Sequence, residues 1–537
     1  MVKLLIKSNK FWNLYERNNA SMWFRGVIYS HKVIEIIDLL NTQNTSVIQS
    51  VLNDIRGHFS FIFQNSTFTL AVVDRVRSSE LNYFIGVNND LFITPDINKI
   101  LDLNFFNKSI SEKAIRQIAM SGYTIGSETL YDNCKSLNAG QYLIHLNDKI
   151  IVKNYFNYFG DIKLRKFDEL LEELTQVTIN IFKRTLLEIG ERQIVIPLSA
   201  GNDSRLIASI FKYLGAKNVL CYSYGQKNNF EANVAKLISK KLGFKWVFIP
   251  QTYKTERKFY KSNEFKNFLK FSFSNSGISF FQSLSSISHL KKLNLIEDDA
   301  VFINGNSGDF ISGGHLKYLN LNSNKSFKEI ICDSLLEKHY SLWGYLKTNS
   351  NIKKIKKDLQ ADCFKNFQSV DTHNAHMFYE KSEFSNRQSK YVISGQRVYE
   401  FYKYDWRLPL WDDEYLFFWK NISKDFKNNQ LLYKQMLKSN NFGNVWGSDL
   451  PVNDKKINPV WIRPIRSFFK AIFYIFGIKN KWKQFHISFF YYWIDPILLS
   501  CYSSYSTWIK DFKKRPRSPI SWIAKDYLRS NELNNKL

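Results

Sequence analysis

Between Gln193 and Pro250 the chain switches repeatedly between two hydrophobic periods. "QIVIPL", "NVLCYSYG" and "KWVFIP" are short β-favouring runs, and between them "SRLIASIFKYLG" and "FEANVAKLISKKLG" carry apolar residues three and four apart and stop at glycines. Strand–helix alternation with short connections predicts a parallel sheet covered by helices. In such a sheet, ligands bind beyond the C-terminal ends of the strands, where loops enter helices. The first loop of that kind is Ser199-Ala200-Gly201-Asn202-Asp203-Ser204.

The text on either side is different. From about Val27 to Tyr155 it is β-rich: "HFSFIFQNSTFTLAVVDR" reads as two strands around Asn65-Ser66 and "GQYLIHLNDKIIVKNY" as two more around Asn147-Asp148, with the helical "SEKAIRQIAMSGY" between them. "FDELLEELTQVTINIFKRTLLEIG" then runs helical to Gly190, and beyond Thr252 the chain is mostly helical with one further strand at "AVFIN". A chain of 537 residues should hold two or three domains. The change of period places a boundary near residue 160, and we expect domains at 1–158, 159–460 and 461–537.

The net charge of +27 suggests nucleic acid, but Lys, Asn, Ile and Phe are abundant throughout and no Arg-dense tract stands out. A solvated basic surface, with no nucleic-acid partner, is the expectation. The five cysteines are scattered without a CxxC, as expected of reduced thiols in the cytoplasm. The first residues lack a signal-peptide pattern, and no run is long enough to span a membrane. "FFKAIFYIFGI" (468–478), flanked by Arg463, Arg466, Lys479, Lys481 and Lys483, has the pattern of a peripheral membrane contact. The reading favoured here is a buried helix with a basic rim. His373-x-x-His376 is spaced for one helix face but has no third ligand in view.

Small residues in the Ser199–Ser204 loop let backbone N–H groups approach an anion, the following helix adds positive potential, and Ser199 and Ser204 add hydroxyls. Asp203 would repel a bare phosphate and suits one bridged by Mg²⁺; alone, it also reads as a helix cap. There is no Walker A lysine. A second loop, Gly305-Asn306-Ser307-Gly308-Asp309-Phe310-Ile311-Ser312-Gly313-Gly314-His315, again sets small residues around one carboxylate, after a later strand of the same sheet. Two such loops are hard to explain as caps.

"PLSAGNDSR" resembles the pyrophosphate-binding loop of the N-type ATP pyrophosphatases, specifically the asparagine synthetase family. The Asp309 loop, Arg407-Leu408-Pro409-Leu410-Trp411-Asp412 and "NNQLLYKQML" resemble further elements of that family. "RGHFSFIFQ", "LAVVDRVRSSELNYF" and "GYTIGSETLYDNCKSLNAGQYL" resemble its class II glutaminase domain. The resemblance covers roughly residues 50–460. It implies an α/β chain: an N-terminal α+β Ntn-type glutaminase-like sandwich, then a parallel-sheet adenine-nucleotide α-hydrolase-like (PP-loop) domain with a helical C-terminal region. By the same resemblance Asp203 and Asp309 share the Mg²⁺ of ATP, while Ser199, Gly201, Ser204 and Gly305 line the pyrophosphate site. Ser223, Tyr224 and Gly225 end the strand beside adenine, and Glu231 matches an acidic position. Lys455 or Lys456 would assist the second chemical step. Glu400 falls on one helical face with Arg397 and Tyr404, which fits either a catalytic role or an ion pair.

Two departures matter. Working glutaminase domains of this type use an N-terminal cysteine, whereas residue 2 is Val2 and the first cysteine is Cys134, so this domain is expected not to hydrolyse glutamine. Asn306 stands where glutamine-dependent asparagine synthetases have Glu, which argues against aspartate as substrate. The resemblance therefore implies adenylation of another carboxylate, such as a uronic acid or glycan, followed by attack of ammonia or an amine, with a separate glutaminase as one ammonia source. A catalytically retired homologue acting as a binding or scaffold protein is the competing reading.

Overall fold

A computed structural model describes residues 1–41, 45–321, 324–365, 367, 369–452, 460–494 and 497–530. The N-terminal part contains ten strands: β1 (Val2–Leu4), β2 (Asn13–Arg17), β3 (Ala20–Ile28), β4 (Gly57–Gln64), β5 (Phe68–Val73), β6 (Asn82–Ile85), β7 (Leu91–Thr94), β8 (Cys134–Ser136), β9 (Gln141–Leu146) and β10 (Lys149–Asn154). They form a six-stranded sheet in the order β10-β9-β5-β4-β3-β2 and a four-stranded sheet in the order β1-β7-β6-β8. Alternation along the strands decides which layer each residue fills. Ile62, Ala71 and Val73 of the larger sheet meet Leu91 and Ile93 of the smaller one between the sheets. Phe59, Phe61 and Phe63 face outward onto helices Val33–Leu40 and Ile48–Asp54, and Phe84 and Phe92 onto helices Ile97–Leu101 and Glu112–Ser121. The result is a helix–sheet–sheet–helix sandwich.

The second part is built on β11 (Ile194–Pro197), β12 (Val219–Gly225), β13 (Lys245–Pro250), β14 (Val301–Ile303) and β15 (Asp405–Arg407), all parallel, in the order β13-β12-β11-β14-β15. Ile194 and Ile196 face one helical layer and Val195 the other, so β11 is buried on both sides. The chain runs β11 to β12 to β13 in one direction and returns to the other side of β11 with β14. The strand order therefore reverses between β11 and β14, which puts a crevice at their C-terminal ends. The α/β class, with a sandwich, a parallel sheet and a helical C-terminal region, is as the sequence predicts.

Two local readings need correction. Helix Arg397–Phe401 ends before Tyr404, because the chain turns through Lys403 at φ 66°; Tyr404 instead packs on Phe302, with ring centroids 5.3 Å apart. His373 precedes helix Ala375–Ser382 rather than sharing a face of it with the buried His376. No described helix is long and apolar enough to cross a membrane.

Buried charge ties the two parts together. Arg75 donates to the carbonyls of Leu52, Asn53 and Ile55 and lies 3.3 Å from Asp413, whose other oxygen accepts from the Gly57 amide at 2.8 Å. Both side chains are almost fully enclosed, at 2% and 4% exposure. Removing one partner strands the other, so Arg75→Ala should cost about 3–5 kcal/mol in denaturant unfolding. A loss below about 1 kcal/mol would show that the pair does not couple the parts.

Candidate active site

The crevice at the sheet reversal has a volume of about 270 Å³. Ser199, Gly201, Asp203, Ser204, Tyr224, Glu231, Gly305 and Asn306 all line it, so the structure gathers most of the residues singled out in the sequence. The loop after β11 is shaped by its own hydroxyls. Ser204 Oγ accepts the Ser199 amide at 3.0 Å and lies 3.0 Å from Ser199 Oγ, which accepts the Gly201 amide at 3.1 Å. Helix Asn202–Tyr213 begins there, its first-turn amides at the crevice, giving partial positive charge where an anion would sit.

The loop after β14 leans on the first. A Cβ on Gly305 would stand 2.8 Å from the Asp203 Cβ, and one on Gly308 would stand 2.4 Å from the Asp203 Cγ. Only hydrogen at both positions lets the loops touch. That contact brings the Asp309 amide to 3.1 Å from Asp203 Oδ2, while the Tyr433 hydroxyl donates to Oδ1 at 3.0 Å. Burial and the neighbouring Asp309 charge push the Asp203 carboxyl up to about 7, against the lowering effect of those two hydrogen bonds. Ser307, in the left-handed region at φ 68°, is held by its hydroxyl donating to Gln388 at 2.6 Å, and Trp411 Nε1 donates to the Asn306 carbonyl at 3.1 Å. Strain at Ser307 is thus braced from two neighbouring segments.

Asp309 faces a buried set of charges. His315 Nε2 lies 3.1 Å from Asp309 Oδ2, and its Nδ1 bonds Glu383. Glu383 is further surrounded by His339 at 3.2 Å, Lys338 at 3.4 Å and Arg387 at 3.8 Å. Burial alone would lower the His315 pKa, but Glu383 and Asp309 outweigh it and raise it, so the ring favours the imidazolium form that donates to both carboxylates. Glu383 starts an irregular, widened helical turn, Glu383–Val392, of the kind that recurs at functional sites.

The donor set fits a divalent cation of the Mg²⁺ type. Asp203 sits at a loop shaped for phosphate, and burial first, then the nearby Asp309 charge, drives it toward protonation. Among the described residues no group of three or more His, Cys, Asp or Glu could hold a metal. Phosphate oxygens and water would therefore complete the shell, as Mg²⁺ accepts.

Other expected residues fall elsewhere. Glu400 is buried in a salt bridge with Arg25 of the sandwich and with Arg397 at 2.9 Å, and it lines a separate pocket with Arg25 and Arg407. Lys455 and Lys456 lie outside the described residues. Arg407 and Asp412 act as clamps: Arg407 grips Glu188 through two bonds of 2.5 and 2.6 Å, and both Asp412 oxygens accept from Arg184 Nη2 at 2.8 Å. Sequence reasoning did not single out Arg205, which donates to the Ala200, Val445 and Leu450 carbonyls and so staples the loop to a distant segment, nor Tyr433, His315 and Glu383.

No family model and no curated protein matches the chain. Several solved structures overlap it in part, three of which follow. An NH3-dependent NAD synthetase from Campylobacter jejuni is 15% identical over 39% of this chain and 99% of its own, at a TM-score of 0.21. An allosteric regulatory enzyme of purine biosynthesis is 11% identical over 54% of this chain and 56% of its own, at 0.18. A glutamine phosphoribosylpyrophosphate amidotransferase from B. subtilis, solved with ADP and GMP, is 9% identical over 68% and 77%, at 0.19. At these TM-scores the likeness carries no argument, and the site rests on its own geometry.

That geometry makes two predictions. Asp203→Asn removes a buried charge beside another carboxylate, so in the absence of metal and nucleotide it should raise unfolding stability above pH 7 by about 1 kcal/mol or more. The gain should fade as pH falls from about 7 toward about 4 and vanish below that, where wild-type Asp203 becomes protonated in both folded and unfolded states. Gly308→Ala should cost about 1–3 kcal/mol, because the added carbon overlaps the Asp203 carboxylate. Denaturant titration across pH reads both.

Proposed function

We propose that the chain is an ATP-dependent, asparagine synthetase-like ligase that adenylates a carboxylate and transfers ammonia or an amine to it. One observation carries the reading: the Asp309 amide bonds the Asp203 carboxylate at 3.1 Å, so loops after two strands that flank the sheet reversal close on each other beside a small-residue loop that begins a helix, Asp203 lining the crevice and the exposed Asp309 side chain lying outside its lining. A substrate carboxylate oxygen bonds to the α-phosphorus of ATP, and the bond to the bridging oxygen breaks, pyrophosphate leaving with the electron pair. The amine nitrogen then attacks the acyl carbon, AMP leaves with its electron pair, and the nitrogen loses its proton to solvent.

Mg²⁺ held by Asp203 and Asp309 would neutralise charge on the departing pyrophosphate. Ser199, Gly201 and Ser204 bind the phosphate oxygens, and Gly305 leaves room for them. Tyr224 lines the end expected to take adenine. Positioning supplies much of the rate.

The remaining wall favours a polyhydroxylated acid. Gln282, Ser283 and Asn306 are neutral hydrogen-bonding groups, and Phe280 and Tyr399 are flat apolar ones. Together they suit a uronic acid or a glycan bearing one, consistent with a place in surface-polysaccharide synthesis. The nitrogen is proposed to come from solution, from the substrate's partner amine or from a separate glutaminase. All five cysteines are buried, and burial pushes the thiols of Cys134, Cys221 and Cys332 up to about 12, so none of those three is poised as a nucleophile. A cytoplasmic place for the protein is part of this proposal, in keeping with ATP use and buried thiols.

A second reading, a retired homologue used as a binding or scaffold protein, draws support from Asp309 being tied to His315 rather than standing free. Exchange of labelled pyrophosphate into ATP separates the two. Exchange should appear with uronic acids and not with aspartate, and Asp309→Asn should reduce it at least about a hundredfold. No exchange with any acid would leave the scaffold reading.

A further inference from the structure

The C-terminal region carries a one-sided distribution of charge. Between Val460 and Ile494 lie Arg463, Arg466, Lys470, Lys479, Lys481 and Lys483, and no Asp or Glu. The stretch folds as a helical hairpin, with helix Ile462–Ile475, a turn at Gly477 (φ 68°), and a second helix that starts at Lys479–Phe485 and runs on through Ile494. Its inner face is aromatic: Phe473 packs on Phe485 and Trp482 at centroid distances of 4.8 and 5.6 Å, and Phe469 on Phe485 at 5.6 Å.

The first helix has a second apolar face that is largely exposed, although Trp461 at its start meets Trp493 of the second helix edge-on at 5.8 Å. Trp461, Ile465, Phe468, Ile472 and Ile475 follow at intervals of four and three, which lines them up along one side for about 20 Å. Phe468 is 64% exposed, Ile475 78% and the adjoining Phe476 73%. The expectation of a buried helix is therefore corrected: one apolar stripe is packed and its neighbour is bare. A soluble chain rarely keeps such a stripe without a use. Lys470, Lys479, Lys481 and Lys483 form no ion pair with a described carboxylate.

We propose that this hairpin seats the protein on an anionic lipid bilayer, the bare stripe entering the boundary between headgroups and acyl chains and the basic residues meeting lipid phosphates. Charge selects this occupant. A second copy of the chain would bring two all-positive hairpins together, and a nucleic acid would leave the aliphatic stripe exposed to water. The hairpin is fastened to the parallel-sheet part, where the Tyr253 hydroxyl donates to the Trp493 carbonyl at 2.9 Å, and Ile497, just beyond the hairpin, lines the crevice wall. Docking thus places the crevice near the lipid surface, and the docking itself does not depend on the proposed reaction.

Co-sedimentation of the full chain with vesicles tests this. The protein should partition onto phosphatidylcholine–phosphatidylglycerol vesicles and much less onto phosphatidylcholine alone. The paired variant Phe468→Glu, Ile475→Glu should lower that partitioning at least about tenfold, and Lys479→Glu with Lys481→Glu and Lys483→Glu should do the same. All five positions are exposed, so an unchanged melting temperature shows that the fold is intact. Equal binding to both vesicle types, or binding that the stripe variant leaves unchanged, would overturn the proposal. So would a concentration-dependent dimer in vesicle-free solution that the stripe variant abolishes, or tighter binding to a DNA duplex than to the anionic vesicles.

Discussion

The contact between the Asp203 carboxylate and the backbone of Gly308 sets the distance between two loops, and the site depends on it. Parallel strands deliver the loops to the same edge of the sheet, but a sheet alone leaves them apart. With hydrogen at Gly305 and Gly308, the second loop closes on the first until the Asp309 amide bonds Asp203. The cost is a carboxylate buried beside a second one, with its affinity for a proton raised to near neutrality. A cation would relieve that repulsion, which is the physical link between the packing of two glycines and the chemistry proposed for the crevice.

Behind Asp309 the fold supplies positive charge before any ligand arrives. His315 spans Asp309 and Glu383, and the Glu383 carboxyl is held well below its ordinary range against burial by His339 and His315, of which His315 carries the charge near neutrality, since burial pushes His339 down to about 3. Lys338, lowered by burial to about 7, adds a second adjustable charge. Such sets are costly to bury and strongly destabilising to break. Their position behind the Asp309 carboxylate is consistent with holding Asp309 in place while its partner loop accepts phosphate.

What was legible in the sequence follows from where the information is local. β11, β12 and β13 and the helices between them each carry their own period and end at glycines or polar turns. The phosphate loop was legible because small residues around one carboxylate at a strand end have few other uses. β2 was not, since its pattern is almost wholly exposed and lacks alternation, and β15 was not, since three residues are too few to show a period. Tyr433 and Glu383 reach the site across 230 and 68 residues of sequence, and no spacing rule links them to Asp203 or His315. The C-terminal helix was misread because helical periodicity treats a packed stripe, Phe469 and Phe473, and a bare one, Ile465 and Phe468, alike.

The central claim is that Asp203 and Asp309 act as one cation site for the pyrophosphate of ATP. Calorimetric titration with ATP, with Mg²⁺ present and then with a chelator, measures it directly. The account predicts that ATP binds at least about tenfold more tightly with Mg²⁺, since without it two carboxylates face the phosphates. Equal affinity in chelator would contradict it.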